Sequence, residues 1–129
     1  MYDTTALLKI LDVRQQEKNE ALVAHKIAID QFEKVATQLY EQLKTKEHAQ
    51  EVLNRYVQSE IIKKIREQTL YIDMLNQKIN QLQREVQIAR QNMEEKQQIV
   101  TEKHIEVKKI EKMIEKREQA KKVHEAREE

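Results

Sequence analysis

Leu53-Asn54-Arg55-Tyr56-Val57-Gln58-Ser59-Glu60-Ile61-Ile62-Lys63-Lys64-Ile65 is the stretch in which two apolar repeats fail to join. Upstream of it, alternate spacings of three and four residues select Leu8, Leu11, Gln15, Lys18, Leu22, His25, Ile29, Phe32, Ala36, Leu39, Leu43, Lys46, Gln50, Leu53 and Val57. Downstream, the same rule selects Ile61, Ile65, Gln68, Ile72, Leu75, Ile79, Leu82, Val86, Ala89, Met93, Lys96, Val100, Lys103, Val107, Ile110 and Ile114. A 3-4 repeat keeps one apolar stripe of a helix turned toward a partner helix, which is the pattern of a coiled coil. Carrying the first frame past Val57 would put Glu60 and Lys64 into the stripe, so the phase breaks between Val57 and Ile61.

Ser59, the only serine of the chain, lies in that break and suits the N-cap of a new helix, where its hydroxyl accepts a backbone N–H. The pattern therefore predicts an all-α fold: a single antiparallel two-helix coiled-coil hairpin over residues 1–129. Its first helix spans about 4–57, the bend about 58–60 and the second helix about 61–127. In an antiparallel pair the facing position numbers share one total, and a total of 118 sets Leu53 against Ile65, Gln50 against Gln68, Leu43 against Leu75 and Phe32 against Val86. The next register would oppose Ala36 to Ala89 and leave a void. Gln15, Lys18 and His25 then face Lys103, Val100 and Met93, a stretch expected to pack loosely. The same phase change also fits a stutter in one continuous helix that dimerises in parallel as a tether or spacer.

The composition agrees with helix throughout. The 129 residues contain no Gly, Pro, Cys or Trp and one Phe, so the turns and aromatic centre of a compact α/β or all-β domain have no material. Charged residues at 36% and 16 Gln leave only a thin apolar seam. Without Gly there is no phosphate-binding loop, Ser59 is the sole serine nucleophile, and two packed helices offer no pocket that excludes water, so the sequence predicts no enzyme and no cofactor. His25, His48, His104 and His124 form neither His-Glu-x-x-His nor Glu-x-x-His, so no metal is expected. No run approaches the roughly 20 apolar residues that span a bilayer, and Met1-Tyr2-Asp3-Thr4-Thr5 lacks the basic start of a signal peptide. The chain reads as cytoplasmic, without direct membrane insertion.

Two surface features stand out. From Lys103 to Lys122 there are eight Lys or Arg against four Glu, although the whole chain carries only +1. Interleaved glutamates argue against a nucleic-acid partner, whose phosphates they would repel. Past Arg117 the second helix runs out of partner in the hairpin, so a basic helical end projects. Toward the bend, Tyr40, Val52, Tyr56, Ile62, Leu70, Tyr71 and Met74 are apolar residues off the seam, and Leu70 with Met74 form an i to i+4 pair.

Leu8-Lys9-Ile10-Leu11-Asp12-Val13-Arg14-Gln15-Gln16-Glu17-Lys18, Tyr71-Ile72-Asp73-Met74-Leu75 and Thr101-Glu102-Lys103-His104-Ile105-Glu106-Val107-Lys108-Lys109-Ile110-Glu111-Lys112-Met113 resemble, in order and spacing, the flagellar export protein FliJ family. The resemblance covers almost the whole chain. It implies a non-enzymatic antiparallel coiled-coil stalk, similar to the rotor stalk of F-type ATPases, in the flagellar type III protein export apparatus that builds the flagellum for motility. The implied partners are the hexameric export ATPase, the membrane protein of the export gate and the export chaperones. The implied location is cytoplasmic, peripheral to the membrane export apparatus. By that resemblance Tyr71 and Leu75 belong to a gate-binding stretch, to which the off-seam Tyr40, Leu70 and Met74 are added. Lys112, Lys116, Arg117, Lys121 and Lys122 are the residues expected at the ATPase ring. This chain has Gln68 where the family often has Tyr and Ser59 where its bend often has Gly, and the family implies a further tail after Glu129.

Overall fold

In a computed structural model of the chain, which describes residues 3–128, two helices are joined by a short bend. Helix α1 is Thr5–Gln58 and helix α2 is Ile62–Glu128, 54 and 67 residues long. Neither segment contains a Gly or Pro that would break a helix. Three threonines of the helix interiors adapt by back-bonding: Thr45, Thr69 and Thr101 donate their hydroxyls to the carbonyls of Glu41, Ile65 and Gln97. At the start of α1, one carboxylate oxygen of Asp3 accepts both the Thr5 N–H at 2.9 Å and the Thr5 hydroxyl at 2.6 Å. These bonds, the hydroxyl one foremost, hold the Asp3 carboxyl below its ordinary range.

The bend closes by a different device from the one the sequence suggests. Ser59 is not the N-cap of α2 but ends α1, with its N–H donating to the Arg55 carbonyl at 3.1 Å. Glu60 then takes a left-handed conformation, φ 55°, and donates to the Val57 carbonyl at 3.2 Å, while Ile61 donates to the Tyr56 carbonyl at 3.3 Å. Those two bonds are the six-to-one and five-to-two pair of a Schellman stop, with Glu60 where glycine is usual. Ile61, whose carbonyl accepts the Ile65 N–H at 2.9 Å, opens α2 with no side-chain cap of its own.

The chain packs as two units, one of Ala28–Met93 and one of the segment up to Ile27 with the segment from Glu94 on. In the Ala28–Met93 unit, Val35, Val86 and Ala89 form a buried cluster with Phe32 and Leu39 against it, and Ala49, Ile72 and Leu75 form another with Leu53 against it. Val35 with Val86 and Ala49 with Ile72 both total 121, so the pairing sits three residues from the expected 118. Gln68 adds a bond across the seam, its side-chain amide donating to the Ala49 carbonyl at 2.9 Å.

The α2 seam is the expected one from Ile65 to Ile114, while Ile61 is exposed. In α1 only alternate members hold. Leu11, Lys18, His25, Phe32, Leu39, Lys46 and Leu53 are at least half-buried, but Leu7, Arg14, Ala21, Ala28, Val35, Gln42, Ala49 and Tyr56 take the places expected for Leu8, Gln15, Leu22, Ile29, Ala36, Leu43, Gln50 and Val57. Ile29 and Ala36 remain half-buried; Leu8, Leu22, Leu43 and Val57 are exposed. Small side chains account for the choice, since Ala21, Ala28 and Ala49 occupy buried places where a larger side chain would hold the helix axes apart.

In the other unit, Leu7, Ala21, Val107 and Ile114 are buried. The polar stretch between them is not loose. Glu17 accepts from Arg14 at 2.9 Å and from Lys103 at 3.1 Å, and Glu106 lies 3.5 Å from Lys103 and 3.9 Å from Arg14. Two cations and two anions thus close a ring across the helices. The Lys103 hydrogen bond depresses the Glu17 carboxyl, and the same bond raises the Lys103 ammonium.

Candidate functional site

An apolar face near the bend is set by where α2 turns its seam. Ile72 and Leu75 are each 7% exposed, so the residues about half a turn away must face solvent: Leu70 is 61%, Met74 66% and Tyr71 42% exposed. Leu70 and Met74 lie one turn apart on one face, and Tyr71 lies beside them, one residue before the seam at Ile72. Solvent exposure of three large apolar side chains within five residues opposes the hydrophobic effect and leaves under half of the Tyr71 surface, with more than half of Leu70 and Met74, available for contact.

The expected members divide in three. Leu70, Tyr71 and Met74 come together. Leu75 is buried against Ala49 and Ile72, so it anchors this part of α2 and presents nothing outward. Tyr40 is exposed but lies on α1, next to Leu39, which packs against the Val35, Val86 and Ala89 cluster. In the 121 pairing Tyr40 is level with Gln81, about 10 Å further along than Met74 at 1.5 Å per residue and on the other helix, so it stands apart from the other three. The ammonium of Lys44 covers the Tyr40 ring at 4.8 Å. Val52 and Tyr56 are half-buried, Tyr56 with Lys64 over its ring at 5.4 Å, and so belong to the cover of the seam.

The basic end is a second surface, in the other unit. Every residue from Glu115 to Glu128 is exposed, and Lys112 is exposed as well. At ~100° per residue, Lys112 and Lys116 share one side of α2, Arg117 and Lys121 another and Lys122 a third, so positive charge surrounds the helix instead of lining one face. Arg117 differs from its neighbours in donating to the Asp3 carbonyl at 3.2 Å. It ties α2 to the start of α1; beyond it Lys121, Lys122 and Arg127 alternate with Glu118, Glu125 and Glu128, so the positive excess belongs to the stretch from Lys103 to Lys122.

Sequence reading missed other exposed apolar residues. Val23 at 61% and Ile27 at 64% border a shallow groove with Asn19, Glu20 and Ala24, and Ile88 at 69% borders one with Gln31, Lys34 and Glu85. The shifted α1 frame would have identified Val23 and Ile27 as outward positions. Among the described residues no group of His, Asp and Glu could hold a metal ion, and no helix is long and apolar enough to cross a membrane.

A protein-family model described as flagellar FliJ protein matches residues 3–129. The flagellar FliJ protein of Bacillus subtilis (strain 168) is 35% identical over 109 residues, which cover 84% of this chain and 74% of that relative. No solved structure matches.

Proposed function

Because the chain belongs to the flagellar FliJ protein family, we propose that it is a non-enzymatic stalk component of flagellar protein export, bridging the export ATPase ring and the membrane export gate and assisting delivery by export chaperones. The observation that carries this reading is the pair of unlike surfaces on separate units: an apolar face at Leu70, Tyr71 and Met74, and a helical end encircled by Lys112, Lys116, Lys121 and Lys122. Apolar and aromatic anchors suit a gate protein that buries them, with Leu75 holding α2 in place and Tyr40 as a separate contact. Charge on several sides of the helix suits a ring with an acidic socket, since a flat partner would leave part of that charge unused. Arg117 supports the base of this end through Asp3.

Replacing Leu70 and Met74 together by Ser tests the gate contact. Both side chains are more than half exposed, so helicity and melting should stay near the parent's. Co-purification with the cytoplasmic part of the export-gate protein should fall at least tenfold, the effect of losing about 1.4 kcal/mol of contact. Undiminished gate binding would remove this face from the function.

A further inference from the structure

We propose that the bend of the Ala28–Met93 unit docks on the surface of an anionic lipid bilayer. Val57 in the last turn of α1, Ile61 in the bend and Ile62 at the start of α2 are all exposed, Ile62 at 71%. Three branched apolar side chains therefore stand in water at the tip, where neither helix has a further turn to cover them. Beside and behind them come Arg55, Lys63, Lys64 and Arg66, also exposed, and Glu60 is the only acidic residue from Arg55 to Arg66. Among the described residues none of these four cations has a carboxylate partner. The first turn of α2 holds no acidic residue either, so the positive end of its dipole adds to their charge.

The two chemistries come in the order in which a bilayer presents them. An interfacial element sinks its apolar side chains about 5–10 Å into the boundary between headgroups and acyl chains, while its basic side chains stay with the anionic headgroups. Arg66 is four residues from Ile62, about 6 Å along α2, and Arg55 is three residues from the end of α1 at Gln58, about 4.5 Å. The cations thus sit about one such depth behind the apolar tip, within reach of their long stems. Nucleic acid would engage the cations and leave Val57, Ile61 and Ile62 in water, and an apolar protein pocket would leave the cations unpaired. An anionic bilayer uses both. The contact stays at the surface, because no described helix is long and apolar enough to cross a membrane. It rests on the bend's own residues and is independent of the gate and ATPase contacts proposed above.

Flotation of the full chain with vesicles tests the proposal. The chain should float with vesicles of equal parts phosphatidylcholine and phosphatidylglycerol and stay behind with phosphatidylcholine alone. Val57→Ser with Ile62→Ser, both exposed places, should keep helicity and lose flotation. Lys63→Gln with Lys64→Gln should weaken vesicle affinity roughly tenfold or more. Reversing Lys112, Lys116, Lys121 and Lys122 to Glu should leave flotation in place. The chain has no cysteine, so Ile62→Cys carries one polarity-sensitive fluorophore at the tip and Val23→Cys the same probe in the other unit. Only the first should shift to the blue when the anionic vesicles are added. No flotation of the parent, or flotation lost with the Lys112 to Lys122 reversals and kept in both tip variants, would overturn the proposal. Retention on duplex DNA that Val57→Ser with Ile62→Ser leaves unchanged, without vesicle binding, would make the tip a phosphate patch and overturn it as well.

Discussion

Glu60 carries a positive φ without being glycine, and the two hydrogen bonds of the helix stop depend on it. A left-handed L-residue costs about 1–2 kcal/mol, whereas glycine adds about 0.5–1 kcal/mol of unfolded-chain entropy. Strain relief is the larger of the two, so Glu60→Gly should stabilise the chain by roughly 0.5–1 kcal/mol, measured by urea titration of the helical signal. Its neighbour behaves oppositely. A bend serine would tolerate proline, but the Ser59 N–H is bonded to Arg55 and its residue completes α1, so Ser59→Pro should cost about 3 kcal/mol. If Ser59→Pro left stability unchanged, the bond from the Ser59 N–H to the Arg55 carbonyl would contribute nothing to the helix stop.

The two helices were not equally legible. Ile65, Ile72, Ile79 and Val86 stand out in α2 because their neighbours one residue on are polar or charged, and that seam is found as read. In α1, Leu22, Ile29 and Leu43 outrank Ala21, Ala28 and Gln42 in hydrophobicity, yet the alanines are buried. Close approach of backbones is a property of two helices together, and single-chain periodicity does not contain it. The same blind spot hid the ion ring, since Arg14 and Glu17 meet Lys103 and Glu106 only in the register actually adopted. Leu75 was a seam residue by its spacing and joined the gate-binding stretch only through the family resemblance, whereas the exposure of Leu70 and Met74 was readable from their place off the α2 repeat. The ring has its own pH signature. Glu17 titrates below its ordinary 4.5 when folded, so its contribution is present above that value and lost as pH falls through the lowered one. Lys103 titrates above 10.5 when folded, so its contribution is present below 10.5 and lost as pH rises through the raised value. Glu17→Gln should lower the melting temperature slightly near neutral pH, with the difference from the parent vanishing in acid; a difference unchanged at pH 2 would mean the carboxylate is not what stabilises the ring.

For the molecule as a whole, a net charge of +1 conceals a basic end, and the end predicts a salt dependence that the total does not. An interaction between the Lys112 to Lys122 stretch and an acidic ring should weaken as the Debye length shrinks from ~10 Å at 0.1 M salt to ~3 Å at 1 M, while burial of Leu70 and Met74 should not. Reversing Lys112, Lys116, Lys121 and Lys122 to Glu leaves Arg117 and its bond to Asp3 in place, so the start of α1 stays tied. Four reversals shift the net charge by eight, which by itself alters association with any charged partner. Reversing Lys9, Lys44, Lys63 and Lys78, all exposed and outside the basic end, gives the same total and separates local from global charge. At low salt the first variant should lose most stimulation of an export ATPase ring and the second should keep it. Gate binding through Leu70 and Met74 should be unaffected by the first, because the residues belong to separate packed units and share no partners. If both variants lose stimulation equally, charge acts on the molecule as a whole and the basic end has no socket.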